Sequence, residues 1–212
     1  MGLQSISSQT LQRLPVYLNY LKALPKNSAA NISATTIADA LNMNDVQVRK
    51  DLAMVSEGGR PKVGYITKNL IFDIEQFLGY DDADSAVIAG TGYLGRAFLS
   101  YQGFAEYGLD IIAAFDIDEK LIGTTVNGRE VLSADKIQNL CSRMKIKIGI
   151  ITVPASQAQS VCDALIAGGV LAVWNFAPVH LSVPKDVLVK NENMVGSLAM
   201  LSKHLKEKLL NV

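Results

Sequence analysis

Residues 85–95 read SAVIAGTGYLG. The first five are small or apolar and form a buried-strand pattern, which runs directly into G-x-G-x-x-G and then into a helical pattern over 96–101. In that setting each glycine has its own task. Gly90 permits a tight turn, Gly92 lets the backbone approach a pyrophosphate, and Gly95 lets helix and strand pack closely. Helix N–H groups and the helix dipole then stabilise the phosphates. Thr91, Tyr93 and Leu94 complete the loop, so all six residues are candidate cofactor contacts.

Downstream, the same grammar continues. A second strand over 110–115 ends at Asp116, 21 positions after Gly95, where an acidic side chain accepts hydrogen bonds from an adenosine ribose. Its charge repels a 2′-phosphate, which favours NAD over NADP; Asp118 is the other candidate for that role. A further strand over 146–153 leads to Pro154 and a helix over 156–167, and Gly168-Gly169 separates that helix from a strand over 170–174. Apolar strands alternating with amphipathic helices predict an α/β domain with a parallel sheet. Ligands of such sheets sit beyond the strand C-termini, which adds Thr152, Pro154, Asn175, Phe176 and Pro178 as candidates for the nicotinamide end.

Upstream of residue 84 the grammar is helical. Leu11, Leu14, Leu18 and Leu21 recur at helix spacing, with Ser7 or Ser8 as a cap and Pro15 predicting a kink or a late start. A helix over 35–41, capped by Ser33, is followed by a short break and a helix over 46–55 capped by Asp45, the pattern of helix-turn-helix. Val48, Leu52 and Val55 share the buried face of the second helix. Its outer face carries Val46, Lys50 and Ala53, flanked by Gln47, Met54 and Arg49: cations, an amide and small apolar groups suited to phosphates, purine edges and thymine methyls. GGRPKVGYI over 58–66 reads as a basic hairpin, a wing carrying Arg60 and Lys62 toward a minor groove. A helix over 70–78 closes this part, and GYDDAD over 79–84 marks a boundary. The expected organisation is a winged-helix domain over 1–80, a Rossmann-like domain over 84–195 and a C-terminal helix over 196–212.

Bulk properties agree with two globular domains. The chain has 212 residues, 49% hydrophobic and 19% charged, which argues against extended disorder. Neither a secretory leader nor an apolar run of membrane-spanning length is visible, so the expected location is the cytoplasm. Formal net charge is zero, yet residues 13–68 carry eight Lys/Arg against four Asp/Glu, a local surplus facing a polyanion. Cys141 and Cys162 form neither a disulfide framework nor a zinc pattern and read as ordinary helix residues. His180 and His204 are read as structural, so no catalytic residue and no metal ligand is assigned and the chain is not read as an enzyme. The alternative reading is a small NAD- or CoA-binding enzyme subunit whose first domain serves assembly.

RLPVYL (13–18), VQVRKDLA (46–53), GRPKVGY (59–65), GTGYLG (90–95), FDID (115–118), TVP (152–154) and NFAPV (175–179) together resemble the Rex family of redox-sensing transcriptional repressors over nearly the whole chain. The resemblance implies a homodimer that binds AT-rich inverted-repeat operator DNA and leaves it when NADH, the effector, replaces the competitor NAD⁺. It implies recognition-helix contacts from Gln47, Arg49 and Lys50 and wing contacts from Arg60 and Lys62. Tyr101 matches a tyrosine that in some members joins a network with an aspartate and an arginine, whose positions here hold Asn193 and Asn19. Ser56-Glu57-Gly58 departs from the aromatic-rich wing common in the family. The stripe Leu198, Leu201, Leu205 and Leu209 matches a terminal helix exchanged between subunits.

Overall fold

In the computed structural model, residues 6–25, 27–80 and 84–210 are described; Lys26 of the basic surplus and residues 81–83 of the expected boundary lie outside them. The chain divides into two compact units, Met1–Asp82 and Ala83–Val212.

The first unit runs α1 (Ser8–Lys22), β1 (Asn31–Ile32), α2 (Ala34–Leu41), α3 (Asp45–Val55), β2 (Tyr65–Ile66) and α4 (Thr67–Leu78). Ser7 caps α1 by accepting from the Thr10 N–H at 3.1 Å, and the helix passes through Pro15 without a break. The hydrogen bond Pro15 cannot donate would have gone to Leu11, which is 43% exposed rather than in the core as its spacing suggested. Burial of Leu14, Tyr17, Leu18 and Leu21 on the other side holds the helix together. Ser33 caps α2 as expected. Asp45 does not cap α3: Asn44 accepts from the Gln47 N–H at 3.1 Å, while Asp45 pairs with Arg49 in the first turn. The buried face of α3 is Val48, Asp51 and Leu52, with Val55 only half-buried. These pack with Ile37, Ala38, Leu70 and Ile74 into one core. β1 and β2 pair antiparallel, and beyond them Arg60 and Gly64 bridge to close a tight turn. Gly64 has φ +81, and a Cβ there would lie 2.3 Å from the Ile32 carbonyl, so only glycine fits.

The second unit runs β3 (Asp84–Ala89), α5 (Tyr93–Ser100), β4 (Leu109–Asp116), β5 (Thr125–Val126), β6 (Arg129–Ser133), α6 (Ile137–Met144), β7 (Ile148–Ile151), α7 (Ala155–Ala167), β8 (Ala172–Asn175), β9 (Leu188–Asn191) and α8 (Met194–Leu210). The sheet order is β5-β6-β4-β3-β7-β8-β9. From β6 to β9 every pairing is parallel. Leaving aside the antiparallel edge strand β5, this is the doubly wound order 3-2-1-4-5-6, which reverses between β3 and β7. Side chains alternate between two cores. Val87, Phe115 and Ile151 face one with Cys141, Cys162 and Leu165; Ile88, Ala114 and Ile150 face the other with Leu99 and Val131.

Both cysteines are free and buried, and burial pushes each thiol up to about 11. α8 contributes no buried residue, and it begins two residues before the expected start of the C-terminal helix. Among the described residues no helix is long and apolar enough to cross a membrane.

Candidate nucleotide site and nucleic-acid interface

The sheet reverses where the turn after β3 meets the turn after β7. Gly90 enters the first turn at φ +98, with its N–H on the Phe115 carbonyl at 2.8 Å. A Cβ on Gly95 would stand 1.9 Å from the Gly90 carbonyl oxygen, so α5 packs against the turn at a distance only glycine allows. A Cβ on Gly92 would meet nothing within 4 Å. The loop is therefore closed on its inner side and open at the start of α5, where no side chain caps the helix and its first N–H groups form an anion seat. Tyr93 is 99% exposed on that rim, and Leu94 is half-buried.

Asp116, at the end of β4, accepts four hydrogen bonds. Oδ2 takes the Thr91 N–H at 2.6 Å and the Thr91 hydroxyl at 2.7 Å, and Oδ1 takes the Ile117 and Asp118 N–H groups at 2.8 and 3.1 Å. Burial alone would raise its pKa, but these donors, Thr91 first, outweigh it and hold the carboxyl below its ordinary value. Asp116 thus shapes the glycine loop as well as standing beside it, a second role that position in the sequence does not show. Thr91 is fully buried. Asp118 uses its carboxylate to accept the Lys120 N–H, a local turn.

Beside Asp116, a cavity of about 320 Å³ is lined by Ile117, Ala134, Asp135, Ile137, Gln157, Ser160, Val161 and Ala164. It is a mainly apolar slot suited to a flat aromatic base. These residues come from the turn after β4, the segment leading into α6, the start of α6 and the outer face of α7, and no motif announces them.

The remaining sequence candidates fall into two kinds. Thr152 shares its hydroxyl proton between the Ala89 and Gly90 carbonyls at 3.1 and 2.8 Å, strapping the two turns together. Asn175 is fully buried; its amide donates to the Ala177 and Val179 carbonyls and to Asn191, and its oxygen accepts from the Ala177 N–H. Both shape loops. Pro154 and Pro178, in contrast, are exposed at the strand ends. Phe176 stacks edge-on against Phe98 at 4.8 Å, and Tyr101, 56% exposed, leans on Phe104 at 4.9 Å. Asn193 accepts the Gly196 N–H at the start of α8. Among the described residues no cluster of His, Cys, Asp or Glu is fit to hold a metal ion.

In the first unit, Val46, Lys50, Ala53 and Met54 are exposed on α3, with Gln47 and Arg49 beside them. Arg49, Arg60 and Lys62 line one cavity of about 530 Å³ with Ser33, Thr35 and Tyr65. Lys62 stands at the tip of the wing turn at φ +64. Under α3 lies a residue the sequence reading passed over. Asp51 is 1% exposed and bonds to Arg13 through Nε at 2.7 Å and Nη2 at 2.9 Å. It also accepts from the Tyr17 hydroxyl at 2.8 Å, the Gln47 amide at 3.0 Å and the Thr10 hydroxyl at 3.2 Å. Burial opposes its charge, yet Arg13, then Tyr17 and Gln47, hold its pKa below the ordinary value. Burial and the bond to Asp51 in turn push Tyr17 up to about 12. A polar residue in the apolar stripe of α3 was the available signal.

Comparison with known proteins gives these two sites their context. Residues 5–53 match the family of putative DNA-binding protein N-termini, and residues 81–179 match the CoA binding domain family. The redox-sensing transcriptional repressor Rex of Bacteroides fragilis is 38% identical over 200 residues, covering 94% of this chain and 91% of its own. The Rex of Treponema denticola is 40% identical over 195 residues, covering 92% and 93%. The crystal structure of RSP in complex with β-NAD⁺ and operator DNA superposes with a TM-score of 0.90 at 33% identity, covering 98% of this chain and 96% of that one. RSP in complex with β-NADH gives 0.86 at 32% identity, covering 98% of each chain. With this identity sustained along nearly its full length, the chain belongs to the Rex family of redox-sensing transcriptional repressors.

Proposed function

We propose that the chain is a cytoplasmic repressor that binds operator DNA as a homodimer and leaves it when NADH replaces NAD⁺. The observation that carries this reading is the pairing, in one chain, of an open glycine loop at the reversal point of a 3-2-1-4-5-6 sheet with a winged helix whose α3 is exposed. RSP, similar over 98% of this chain, was crystallised both with β-NAD⁺ and operator DNA and with β-NADH.

The loop residues 90–95 hold the pyrophosphate at the N-terminus of α5, and the slot beside Ile117 takes the adenine. Asp116 faces the ribose. Because its four hydrogen bonds already fill the usual carboxylate positions, its main contribution to the sugar is charge, with hydroxyls sharing lone pairs that Thr91 partly occupies. Pro154, Phe176, Pro178 and Tyr101 border the nicotinamide end, whose positive charge disappears on reduction. Gln47, Arg49 and Lys50 on α3 and Arg60 and Lys62 on the wing contact DNA. On α8, Leu198, Leu201, Leu205 and Leu209 are 55–68% exposed, and a second copy of the chain covers them.

The test is a gel-shift titration on an AT-rich inverted-repeat duplex with NADH, NAD⁺ and CoA in turn. Release by NADH, reversal by NAD⁺ and indifference to CoA are expected. Absence of a specific complex at low salt, together with dehydrogenase turnover, would overturn the reading in favour of the enzyme subunit.

A further inference from the structure

We infer that Gln47 is a base-reading residue whose amide is turned by the buried carboxylate of Asp51, so that it presents its carbonyl oxygen to the DNA and selects, on the strand it faces, a base carrying an exocyclic amine, adenine or cytosine. This rests on the proposed DNA-binding function and specifies which chemistry α3 reads.

The argument starts from what a carboxylate can accept. Asp51 is held in its ionised form by the Arg13 guanidinium, and it has no proton to donate. Any amide bonded to it must therefore approach with nitrogen. Gln47 does so, with Nε2 at 3.0 Å from Asp51 Oδ1. The opposite orientation would set two acceptors against each other in a place where Arg13, Tyr17 and Thr10 already converge. Oε1 is thus the other end of a fixed amide on an exposed residue. Gln47 also lies in the first turn of α3, its N–H capped by Asn44 at 3.1 Å, so its backbone is as restrained as its side chain.

An outward carbonyl discriminates by sign. It pairs with the N6 amine of adenine or the N4 amine of cytosine, and it meets only acceptors on guanine or thymine in the major groove. An unrestrained glutamine could turn over and lose this preference. Here the choice is made on the inner side of the helix, 1% exposed and out of reach of solvent.

The experiment is a selection from duplexes randomised across both half-sites, using the full-length chain and sequencing the bound fraction. The wild type should show one symmetric position where adenine or cytosine exceeds guanine and thymine by roughly tenfold. Gln47→Ala should flatten that position alone. Asp51→Asn should flatten it as well, since an asparagine can donate and lets the amide turn over, whereas Tyr17→Phe, which removes a donor to Oδ2 only, should retain it. If Asp51→Asn fails to fold, Gln47→Glu takes its place: a carboxylate at 47 is repelled by Asp51 and has no nitrogen to donate to it, so the preference should be lost, and a preserved preference would overturn the positioning role. An unchanged profile in Gln47→Ala would make Gln47 a brace between α1 and α3 and overturn the inference; a preserved preference in Asp51→Asn would overturn the positioning role of Asp51. Failure of the wild type to select any sequence would instead overturn the repressor reading on which the inference depends.

Discussion

Each unit places an ionised aspartate at its candidate site, buried in the first and half-buried in the second, and the two are compensated differently. Asp51 sits against a guanidinium, so its charge is cancelled where it lies. Asp116 is held by two hydroxyl or amide groups of Thr91 and two backbone N–H groups, and among the described residues no cation pairs with it. Dipoles stabilise a charge without removing it. On the proposed function, the buried charge of Asp51 would be compensated before it reaches a phosphodiester, while that of Asp116 would remain for a 2′-phosphate on the ribose to meet.

The largest effect should follow from breaking the first arrangement. Asp51→Ala strands Arg13 and Tyr17 and should cost the first unit about 3–5 kcal/mol. Chemical denaturation would measure the loss, and NADH binding by the second unit should persist. Wild-type stability in this variant would mean that α3 is held by its apolar face alone.

Asp116→Ala tests the second arrangement. Loss of the charge-assisted bonds that hold the glycine loop through Thr91, worth roughly 1.5–3 kcal/mol, should weaken NADH about ten- to a hundredfold, and loss of the charge should narrow its advantage over NADPH. Ligand-free DNA binding should survive. Equal potency of NADH and NADPH in releasing DNA from the wild type would show that the uncompensated charge does not discriminate.

Arg49 and Arg60 line the same cavity, which suits a single backbone phosphate. Each alanine substitution should weaken all duplex sequences alike and lower the salt slope by about one, and the double variant should fall short of additivity by about 0.5 kcal/mol or more. Strict additivity would separate the two side chains onto different phosphates.

Acid sensitivity is the smallest expected effect. Both carboxyls have folded pKa values below the ordinary 3.8, so their stabilisation is present above that value and is lost as pH falls from about 4 through the lowered values. Unfolding curves from pH 5 downward should lose stability faster for the wild type than for Asp51→Asn. Parallel curves would show that Asp51 titrates alike in the folded and unfolded chain.

The motif G-x-G-x-x-G was legible because its backbone constraints fall within six residues, and the left-handed turn at Gly90 and the close packing at Gly95 are those that the spacing implied. β6 and β9 were not, since REVLS and LVKN bury few side chains at the sheet margins and carry no apolar run. The cap of α3 was misplaced by one residue because Asn44 and Asp45 are both good caps, and only the Arg49 pairing explains where Asp45 goes. Asp51 escaped notice for a different reason: its partners Thr10, Arg13 and Tyr17 lie 34–41 positions away, beyond any local pattern. Thr152 and Asn175 were found by their location at strand ends, but their hydrogen bonds to neighbouring carbonyls, which make them loop-shaping residues, are tertiary facts.

The depth of the two cysteines has a consequence for the kind of signal this chain obeys. Peroxides and disulfides react with thiolate, and burial that pushes both thiols up to about 11 keeps either sulfur protonated at pH 7. Oxidant stress that titrates exposed cysteines in other regulators finds no nucleophile at Cys141 or Cys162. Hydrogen peroxide at concentrations that leave NADH intact should therefore leave operator occupancy where it was, and only the balance of the dinucleotide pool should move it.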